Sequence, residues 1–363
     1  MADFVMHAAS CTRNRKSSCS ACFHACPQGA LSPGPDGPVH NASRCMGCGI
    51  CATVCPISVF VPHRDNRFLA CWLPELTERP GLALVCAASR AQRLPTSKDA
   101  SNSLRLTGCP AALLPATLAA CMASGIAGLD ILHGDCSACG MGSMAALDRM
   151  CSLWLYIARG NAVLHEQAAS GPSDGNIHDV HKPRISRRSL FRLSFAAISP
   201  PRFDPLPRLD TAMWREKDHP NLRRLFRDIL REAPASARAD AAVPESMQGF
   251  AVRVDSRRCT ACGACARGCA GKALAISQES GGHVTFIAGR CIGCGVCKRV
   301  CPAKAISLTA ASISFRKWLG DEPVTLIRAE RKLCACKRCR ASFTPEAPDE
   351  TYCRICKKRL GLL

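Results

Sequence analysis

Several features that common protein classes need are scarce or missing in this sequence. Aromatic residues make up 5% of the 363 residues, which is few for one large packed core. No stretch reaches about 18 consecutive apolar residues, so we expect no transmembrane helix. The first residues, MADFVMHAASCTRNRK, include no apolar signal-like segment. These absences predict a cytoplasmic protein.

Motifs for organic cofactors are also missing. No G-x-G-x-x-G or P-loop pattern occurs, so a flavin, nicotinamide or ATP site has no support in the sequence. No C-x3-C-x2-C triad occurs, which argues against a radical-SAM enzyme. We therefore predict no catalytic residues, and expect a protein that is not an enzyme or is a non-catalytic subunit of an oxidoreductase complex.

Cysteine, by contrast, is abundant, with 28 copies. Many of them fall in tight C-x2-C runs, which are better placed to converge on one metal than to staple distant chain. The formal net charge is +20, but this sum treats every cysteine as neutral. Four clusters and one zinc site, at roughly −2 each with their thiolates, would leave roughly +10. An acidic redox partner or an anionic membrane surface therefore fits better than nucleic acid, for which charge alone is weak support.

The most regular pattern lies between residues 259 and 301. Two runs share the spacing C-x2-C-x2-C-x3-C, are separated by 21 residues, and comprise Cys259, Cys262, Cys265 and Cys269, then Cys291, Cys294, Cys297 and Cys301. The second run is followed by Pro302. This pattern resembles the bacterial double-cluster ferredoxin family. A pair of zinc knuckles is the alternative, which two complete runs disfavour.

The resemblance implies a compact α+β fold around paired [4Fe–4S] clusters that pass single electrons. In that family the fourth cysteine of each run ligates the other cluster. One cluster would then be held by Cys259, Cys262, Cys265 and Cys301, and the other by Cys269, Cys291, Cys294 and Cys297. Ala270 replaces the family's usual proline, which is not a ligand.

The N-terminal block repeats this pattern less regularly. One run is complete, with Cys45, Cys48, Cys51, Cys55 and Pro56, whereas the other has only Cys19, Cys22, Cys26 and Pro27. Lys16 stands where its first cysteine is expected, and Cys11 lies five residues earlier. By the same resemblance, one cluster would be held by Cys11, Cys19, Cys22 and Cys55, and the other by Cys26, Cys45, Cys48 and Cys51. The alternative is that Cys11 is uninvolved and its cluster is three-iron, labile or absent.

The region between the two blocks has an α/β pattern. LALVCAA, LRLTG and GLDILHG read as strands, and PATLAACMASGIA and GSMAALDRMCSLWLYIARG read as helices, which favours parallel pairing. Cysteines follow the strand ends, where ligands collect in open α/β sheets. They are Cys86, Cys109, Cys136 and Cys139, a possible [2Fe–2S] set. The arrangement distantly resembles the small iron–sulfur delta subunit associated with hydrogenases and heterodisulfide reductases. The alternative is that these are ordinary core cysteines.

Other cysteines and histidines have simpler interpretations. Cys71, Cys121 and Cys151 lie in apolar or helical context and are expected to be inert. His24, His63 and His133 lie near cysteines but are expected to be core or surface residues. At the C-terminus, two C-x2-C turns separated by 13 residues resemble a zinc ribbon and comprise Cys336, Cys339, Cys353 and Cys356. Rubredoxin-type iron is the rival there, and Cys334 has no assigned role.

These patterns predict an α+β multi-domain chain with two ferredoxin-like 2[4Fe–4S] units flanking a small α/β domain. The expected boundaries are 1–65 for the first unit, 66–165 for the α/β domain, 166–250 for a basic linker, 251–316 for the second unit and 330–363 for the zinc-ribbon-like segment. Within the linker, residues 221–233 carry apolar side chains at helical spacing and predict one amphipathic helix.

The predicted function is iron–sulfur electron transfer, relaying single electrons to or between partner oxidoreductases. The expected partners are redox proteins with acidic docking surfaces. One alternative is a redox enzyme subunit or redox sensor with an active cysteine or [2Fe–2S] site in the central region. A further alternative is a protein that binds nucleic acid or an assembly partner through the basic linker and the zinc ribbon.

Overall fold

The computed structural model describes residues 5–76, 81–89, 102–141, 143–158, 162–166, 177–181, 221–233, 243–277, 283–328, 334–340 and 342–362 apart from 344, 346 and 348. Most of the predicted linker therefore lies outside the described residues. The chain divides into two units, each with its own internal contacts. The first comprises Met1–Ser10 and Ser20–Ser246, and the second comprises Cys11–Cys19 and Met247–Leu363.

The first unit begins with a small cysteine-rich module. Its short elements are helix α1 (Ala21–Ala25), strands β1 (Leu31–Pro33) and β2 (Pro38–His40), and helix α2 (Ile50–Val54). Strands β1 and β2 form an antiparallel hairpin, and α1 packs against α2. Met6 bridges Phe60 antiparallel, and the His7 N–H donates to the Val59 carbonyl at 2.8 Å.

A five-stranded sheet forms the largest part of the same unit. Its strands are β3 (Gly81–Val85), β4 (Asn102–Arg105), β5 (Gly128–His133), β6 (Ala162–Glu166) and β7 (His178–Asp179). The order is β6-β5-β3-β4-β7, and every neighbouring pair is parallel. The three strands expected from the sequence pair in parallel as predicted. Strands β6 and β7 were not expected, because they are short and β7 lies in the predicted linker.

Four longer helices belong to the same unit. They are α3 (Asp65–Leu76), α4 (Pro115–Ala123), α5 (Met144–Ile157) and α6 (Leu222–Glu232). Pro115 occupies the first turn of α4, where its missing N–H costs nothing. The predicted amphipathic helix is α6, and Asn221 caps it by accepting the Arg224 N–H at 3.0 Å. Its apolar face is buried and packs against α4, so this part of the predicted linker belongs to the first unit.

The second unit repeats the small module in fuller form. Its elements are β8 (Gly249–Val254), α7 (Ala264–Gly268), β9 (Leu274–Ser277), β10 (His283–Phe286), α8 (Val296–Val300) and β11 (Ile306–Ala311). Strand β8 pairs with β11, β9 pairs with β10, and α7 packs against α8. Helix α9 (Phe315–Leu319) and strand β12 (Val324–Arg328) follow, and β12 joins β10 at the edge of that sheet.

The C-terminal residues form a hairpin and a helix, β13 (Cys334–Ala335), β14 (Ser342–Phe343) and α10 (Arg354–Arg359). Five short 3-10 turns complete the described elements, at Ala8–Ser10, Thr12–Arg15, Pro110–Ala112, Glu245–Met247 and Ala288–Arg290. Across the described ranges, none of the helices combines the length and the apolarity that crossing a bilayer requires.

Candidate iron–sulfur and metal centres

The turn after the fourth cysteine of each run has the same geometry in all four runs. A backbone N–H four residues later donates to the cysteine Sγ atom, and the residue before that donor has a left-handed φ between 49° and 61°. The hydrogen bonds are Ala30 to Cys26 at 3.2 Å, Val59 to Cys55 at 3.3 Å, Ala273 to Cys269 at 3.2 Å and Ala305 to Cys301 at 3.3 Å. An N–H donated to sulfur favours the thiolate that a metal requires.

The loop before each short helix repeats in three runs and differs in the fourth. Gly49, Gly263 and Gly295 precede α2, α7 and α8 with φ values of 79°, 75° and 72°. Glycine adopts this left-handed conformation without a steric penalty. In the irregular N-terminal run, Ser20 precedes α1 with φ −134°. The run that lacks a regular first cysteine therefore also has a different backbone conformation at this point.

The structure brings the two predicted ligand sets of the second module to two cavities. One cavity, with about 360 Å³ of free space, is lined by Cys259, Cys262, Cys265 and Cys301. The other, with about 320 Å³, is lined by Cys269, Cys291, Cys294 and Cys297. Each cavity thus receives three cysteines from one run and the fourth from the other run. Apolar side chains complete the walls, among them Ile276 and Ile306 in the first and Leu274 and Phe286 in the second.

Burial makes these cysteines poor thiolates unless a positive group joins them. Burial, followed by the charges of neighbouring thiols, raises the pKa of Cys265 and of Cys297 to about 12. In the first module, burial likewise raises the pKa of Cys48, followed by the charges of Cys26 and Cys45. Burial raises the pKa of Cys51 well above its ordinary range, reinforced by neighbouring thiols that include Cys22 and Cys55. Iron or another cation would offset this cost.

Family comparison identifies the same two segments. Residues 16–59 and residues 252–308 each match a family model described as a 4Fe-4S dicluster domain. The chain contains two 4Fe-4S dicluster domains. No curated protein matches the chain. The two matches cover only part of the 363 residues, so they identify domains and an iron–sulfur electron-transfer role but no partner.

In the first dicluster domain, the assignment of Cys11 as a ligand in the irregular run stays a prediction. The family match begins at Lys16, after Cys11. Cys11 and Cys19 belong to the second unit, whereas Cys22 and Cys55 belong to the first. Within the second unit, the Ser17 hydroxyl donates to the Cys294 carbonyl at 2.9 Å, so the 11–19 segment packs beside the second dicluster domain.

The four central cysteines converge as the strand ends predicted. Cys86, Cys109, Cys136 and Cys139 line one cavity with about 310 Å³ of free space, part of which is open to solvent. The Cys86 Sγ accepts the Ala88 N–H at 3.2 Å. Burial raises the pKa of Cys109 to about 12, followed by the charges of Cys86, Cys136 and Cys48. Because Cys48 contributes, the central cavity lies close to the first dicluster domain.

His133 also lines this cavity. Its ring is buried. Its Nδ1 lies 2.8 Å from the Gly134 carbonyl and 3.6 Å from the Cys136 Sγ. His133 is therefore a core residue, one of the two positions predicted for it, and it lies beside the predicted thiol set. A core or surface position is also predicted for His63, and this residue likewise makes specific contacts.

His63 and Asp65 connect the first dicluster domain to the loop that carries Cys109. The His63 ring packs against Gly108, and its Cβ packs against Gly49. The buried Asp65 carboxylate accepts the Thr107 and Gly108 N–H groups at 2.9 Å each. Burial by itself would raise the pKa of Asp65, but hydrogen bonds from His63 and Thr107 outweigh it and lower that pKa. Sequence reasoning missed this carboxylate because its partners lie about forty residues away.

The three cysteines expected to be inert lie in helices and do not line any of these cavities. Cys71 lies in α3 and is exposed, whereas Cys121 and Cys151 are buried in α4 and α5. Burial raises the pKa of Cys121 to about 12 and that of Cys151 to about 11. His24 lies in α1 of the first dicluster domain.

The C-terminal cysteines form the tightest thiol cluster in the described residues. The Sγ atoms of Cys336, Cys339, Cys353 and Cys356 all lie within 4.8 Å of one another. A tetrahedral zinc–thiolate site requires sulfurs about 4 Å apart, given zinc–sulfur bonds of about 2.3 Å. Burial by itself would raise the pKa of Cys336, but backbone N–H groups, first that of Cys339, outweigh it and lower the pKa. Phe343 is the main apolar residue packed on the four thiols.

Replacement of Gly271 should push apart two ligand loops of the second dicluster domain, the one after Cys269 and the one before Cys291. A Cβ at this position would overlap the Arg290 backbone carbonyl, which precedes Cys291. We expect Gly271→Ala to cost the domain one cluster, about four irons, because Cys269 and Cys291 can no longer face one cavity. Iron analysis after anaerobic purification measures this.

Gly128→Ala is the matched control, since a Cβ there has no neighbour within 4 Å. Its iron content should equal that of the unchanged chain. Equal iron content in Gly271→Ala would contradict the proposed closeness of the two loops.

Metal removal should unfold the C-terminal segment. Its core consists mainly of the four thiols, so metal binding has to supply the stability that apolar packing does not. We expect a strong zinc chelator to expose the amides of 334–362 to rapid hydrogen exchange while those of β8 and β11 stay protected. Protection of the segment after all zinc and iron have been removed would show that the fold does not need the metal.

Proposed function

We propose that this protein is an iron–sulfur electron carrier that relays single electrons to or between partner oxidoreductases and has no catalytic site of its own. The observation that supports this proposal best is the fourfold repeat of the cysteine turn with its N–H···Sγ hydrogen bond. Such hydrogen bonds tune the potential of an iron–sulfur centre, which is the property that an electron carrier has to control.

The proposed carrier holds four [4Fe–4S] clusters, each on four cysteines. In the second dicluster domain, Cys259, Cys262, Cys265 and Cys301 would hold one, and Cys269, Cys291, Cys294 and Cys297 the other. In the first, the sets are Cys26, Cys45, Cys48 and Cys51, and Cys11, Cys19, Cys22 and Cys55. A [4Fe–4S] cluster takes up and releases one electron at a time.

The protein residues around each set have definable roles. Backbone N–H groups of Ala30, Val59, Ala273 and Ala305 donate to sulfur and stabilise its negative charge. Apolar side chains such as Val284 and Phe286 exclude water from the cavities of the second domain. Exclusion of water limits the reorganisation that accompanies a change of charge. The C-terminal thiols would hold zinc in a structural role, since all four positions are protein ligands.

Iron analysis tests the cluster count. Four cubanes require about 16 irons per chain. If Cys11 is a ligand, Cys11→Ser should lower the iron content by about one to four atoms and change the EPR spectrum of one cluster. Cys71→Ser removes an exposed helical thiol and is the matched control, which should change neither.

One outcome would change the ligand assignment, and a second would contradict the proposed function. An iron content unchanged in Cys11→Ser would show that Cys11 is not a ligand. If the EPR spectrum of the holoprotein does not change when dithionite is added, the clusters do not accept electrons, which would argue against electron transfer.

A second candidate function is a redox site in the central cavity, as an enzyme subunit or a sensor. It is favoured by the convergence of Cys86, Cys109, Cys136 and Cys139 on one cavity, close to Cys48. Four thiols suffice to hold a [2Fe–2S] cluster. The first dicluster domain would then supply electrons to this cavity across the loops held by His63 and Asp65.

Substitution of two cavity thiols distinguishes this candidate. Cys136→Ser with Cys139→Ser should remove about two irons and one EPR signal if the cavity holds a [2Fe–2S] cluster. Cys121→Ser, a buried thiol outside the cavity, should leave both unchanged. If the double variant has the same iron content and the same electron-transfer activity as the unchanged chain, the second candidate function is wrong.

A further inference from the structure

The two dicluster domains differ sharply in charge. Residues 16–59 include two Lys or Arg and one Asp, whereas the equivalent residues of the second domain, 259–305, include six Lys or Arg and one Glu. Two oxidised cubanes add roughly −4 to each domain. The first domain then carries a net charge of roughly −3 and the second roughly +1. The second domain is thus the more basic of the two copies.

The extra positive charge of the second domain lies on the ligand loops. The left-handed position of the cysteine turn is Gly29 and Ser58 in the first domain, but Lys272 and Lys304 in the second. Both lysines are exposed. Each immediately precedes the residue whose N–H donates to a cysteine Sγ. The two lysines therefore lie on the turns that follow Cys269 and Cys301.

The short helices repeat this difference. In α8, Lys298 and Arg299 lie between Cys297 and Cys301 and are exposed. The corresponding residues of α2 are Ala52 and Thr53. No described acidic residue forms an ion pair with Lys298 or Arg299. The charge therefore faces solvent.

A third element adds one more cation. Arg267 in α7 is exposed, and its guanidinium donates to the Cys262 carbonyl at 3.0 Å. This hydrogen bond holds the positive charge over a ligand loop. By contrast, the Asp255 carboxylate is already engaged by the Arg257 and Arg258 N–H groups, the nearer at 2.9 Å.

We propose that Arg267, Lys272, Lys298, Arg299 and Lys304, the basic collar, form the docking surface for an acidic one-electron carrier protein. This inference rests on the proposed electron-transfer function and gives it a docking surface. Charges around the ligand loops attract an acidic protein over about one Debye length, roughly 8–10 Å, and bring its redox centre to the clusters. Nucleic acid fits less well, because the one aromatic residue of 252–308, Phe286, is buried and offers no stacking surface.

Reduction of the holoprotein by flavodoxin, an acidic one-electron carrier, tests this surface. Anaerobic stopped-flow measurement should give a second-order rate constant that falls as ionic strength rises. At low ionic strength, the variant K298E/R299E should lower this constant about 10-fold or more. The matched control is K358E/R359E, which makes the same change of charge on the exposed face of α10 and should lower it less than about twofold.

Other results would overturn the inference. Equal slowing in the two variants would assign the effect to overall charge and not to the basic collar. A rate constant independent of salt would exclude electrostatic docking. Tighter binding of an RNA oligonucleotide than of flavodoxin, lost in K298E/R299E, would assign the surface to nucleic acid.

Two controls separate this inference from the proposed function. K298E/R299E should keep its full iron content and its dithionite-reduced EPR spectrum, so that a slow reaction reflects docking. If instead the unchanged chain lacks iron or is not reduced by dithionite, the proposed function itself fails.

Discussion

The structure depends above all on the burial of closely spaced cysteine thiols. Burial raises the pKa of cysteines in both dicluster domains, and neighbouring thiols raise it further. Such groups cannot be thiolates together without a compensating positive charge. The turn that donates an N–H to each fourth cysteine offsets part of this cost. Metal would offset the rest, so folding and metal binding are coupled in these modules.

The dicluster module packs against different elements in the two units. In the second unit, it has its own hydrophobic cluster, which includes Val284 and Phe286, and an additional strand at Val324–Arg328. In the first unit, the cysteine loops pack against the end of the parallel sheet. Gln28 donates to the Gly140 carbonyl at 3.0 Å, and His63 packs against Gly49 and Gly108. The first dicluster domain is thus structurally joined to the central cavity.

Buried polar side chains make this junction specific. Asn66 accepts the Leu114 N–H at 2.7 Å and donates to the Ala112 carbonyl at 3.0 Å, which fixes the start of α4. Asp65 fixes the Thr107–Gly108 turn in the same way. An unpaired carboxylate or amide at these depths would be costly, so each residue has one stable arrangement. These contacts hold Cys109 beside the other cavity thiols.

The sequence by itself determined what depends on local spacing. The C-x2-C-x2-C-x3-C runs predicted the dicluster domains, which family comparison confirms, and the apolar spacing at 221–233 predicted α6. These signals suffice because each involves neighbours within one or two turns of chain. Tertiary structure alone decided how distant segments meet. It added β6 and β7 to the sheet, brought His133 to the central cavity and placed Asp65 under the Thr107–Gly108 turn. Such contacts depend on the packing of whole elements, so they cannot be predicted from the spacing of residues along the chain.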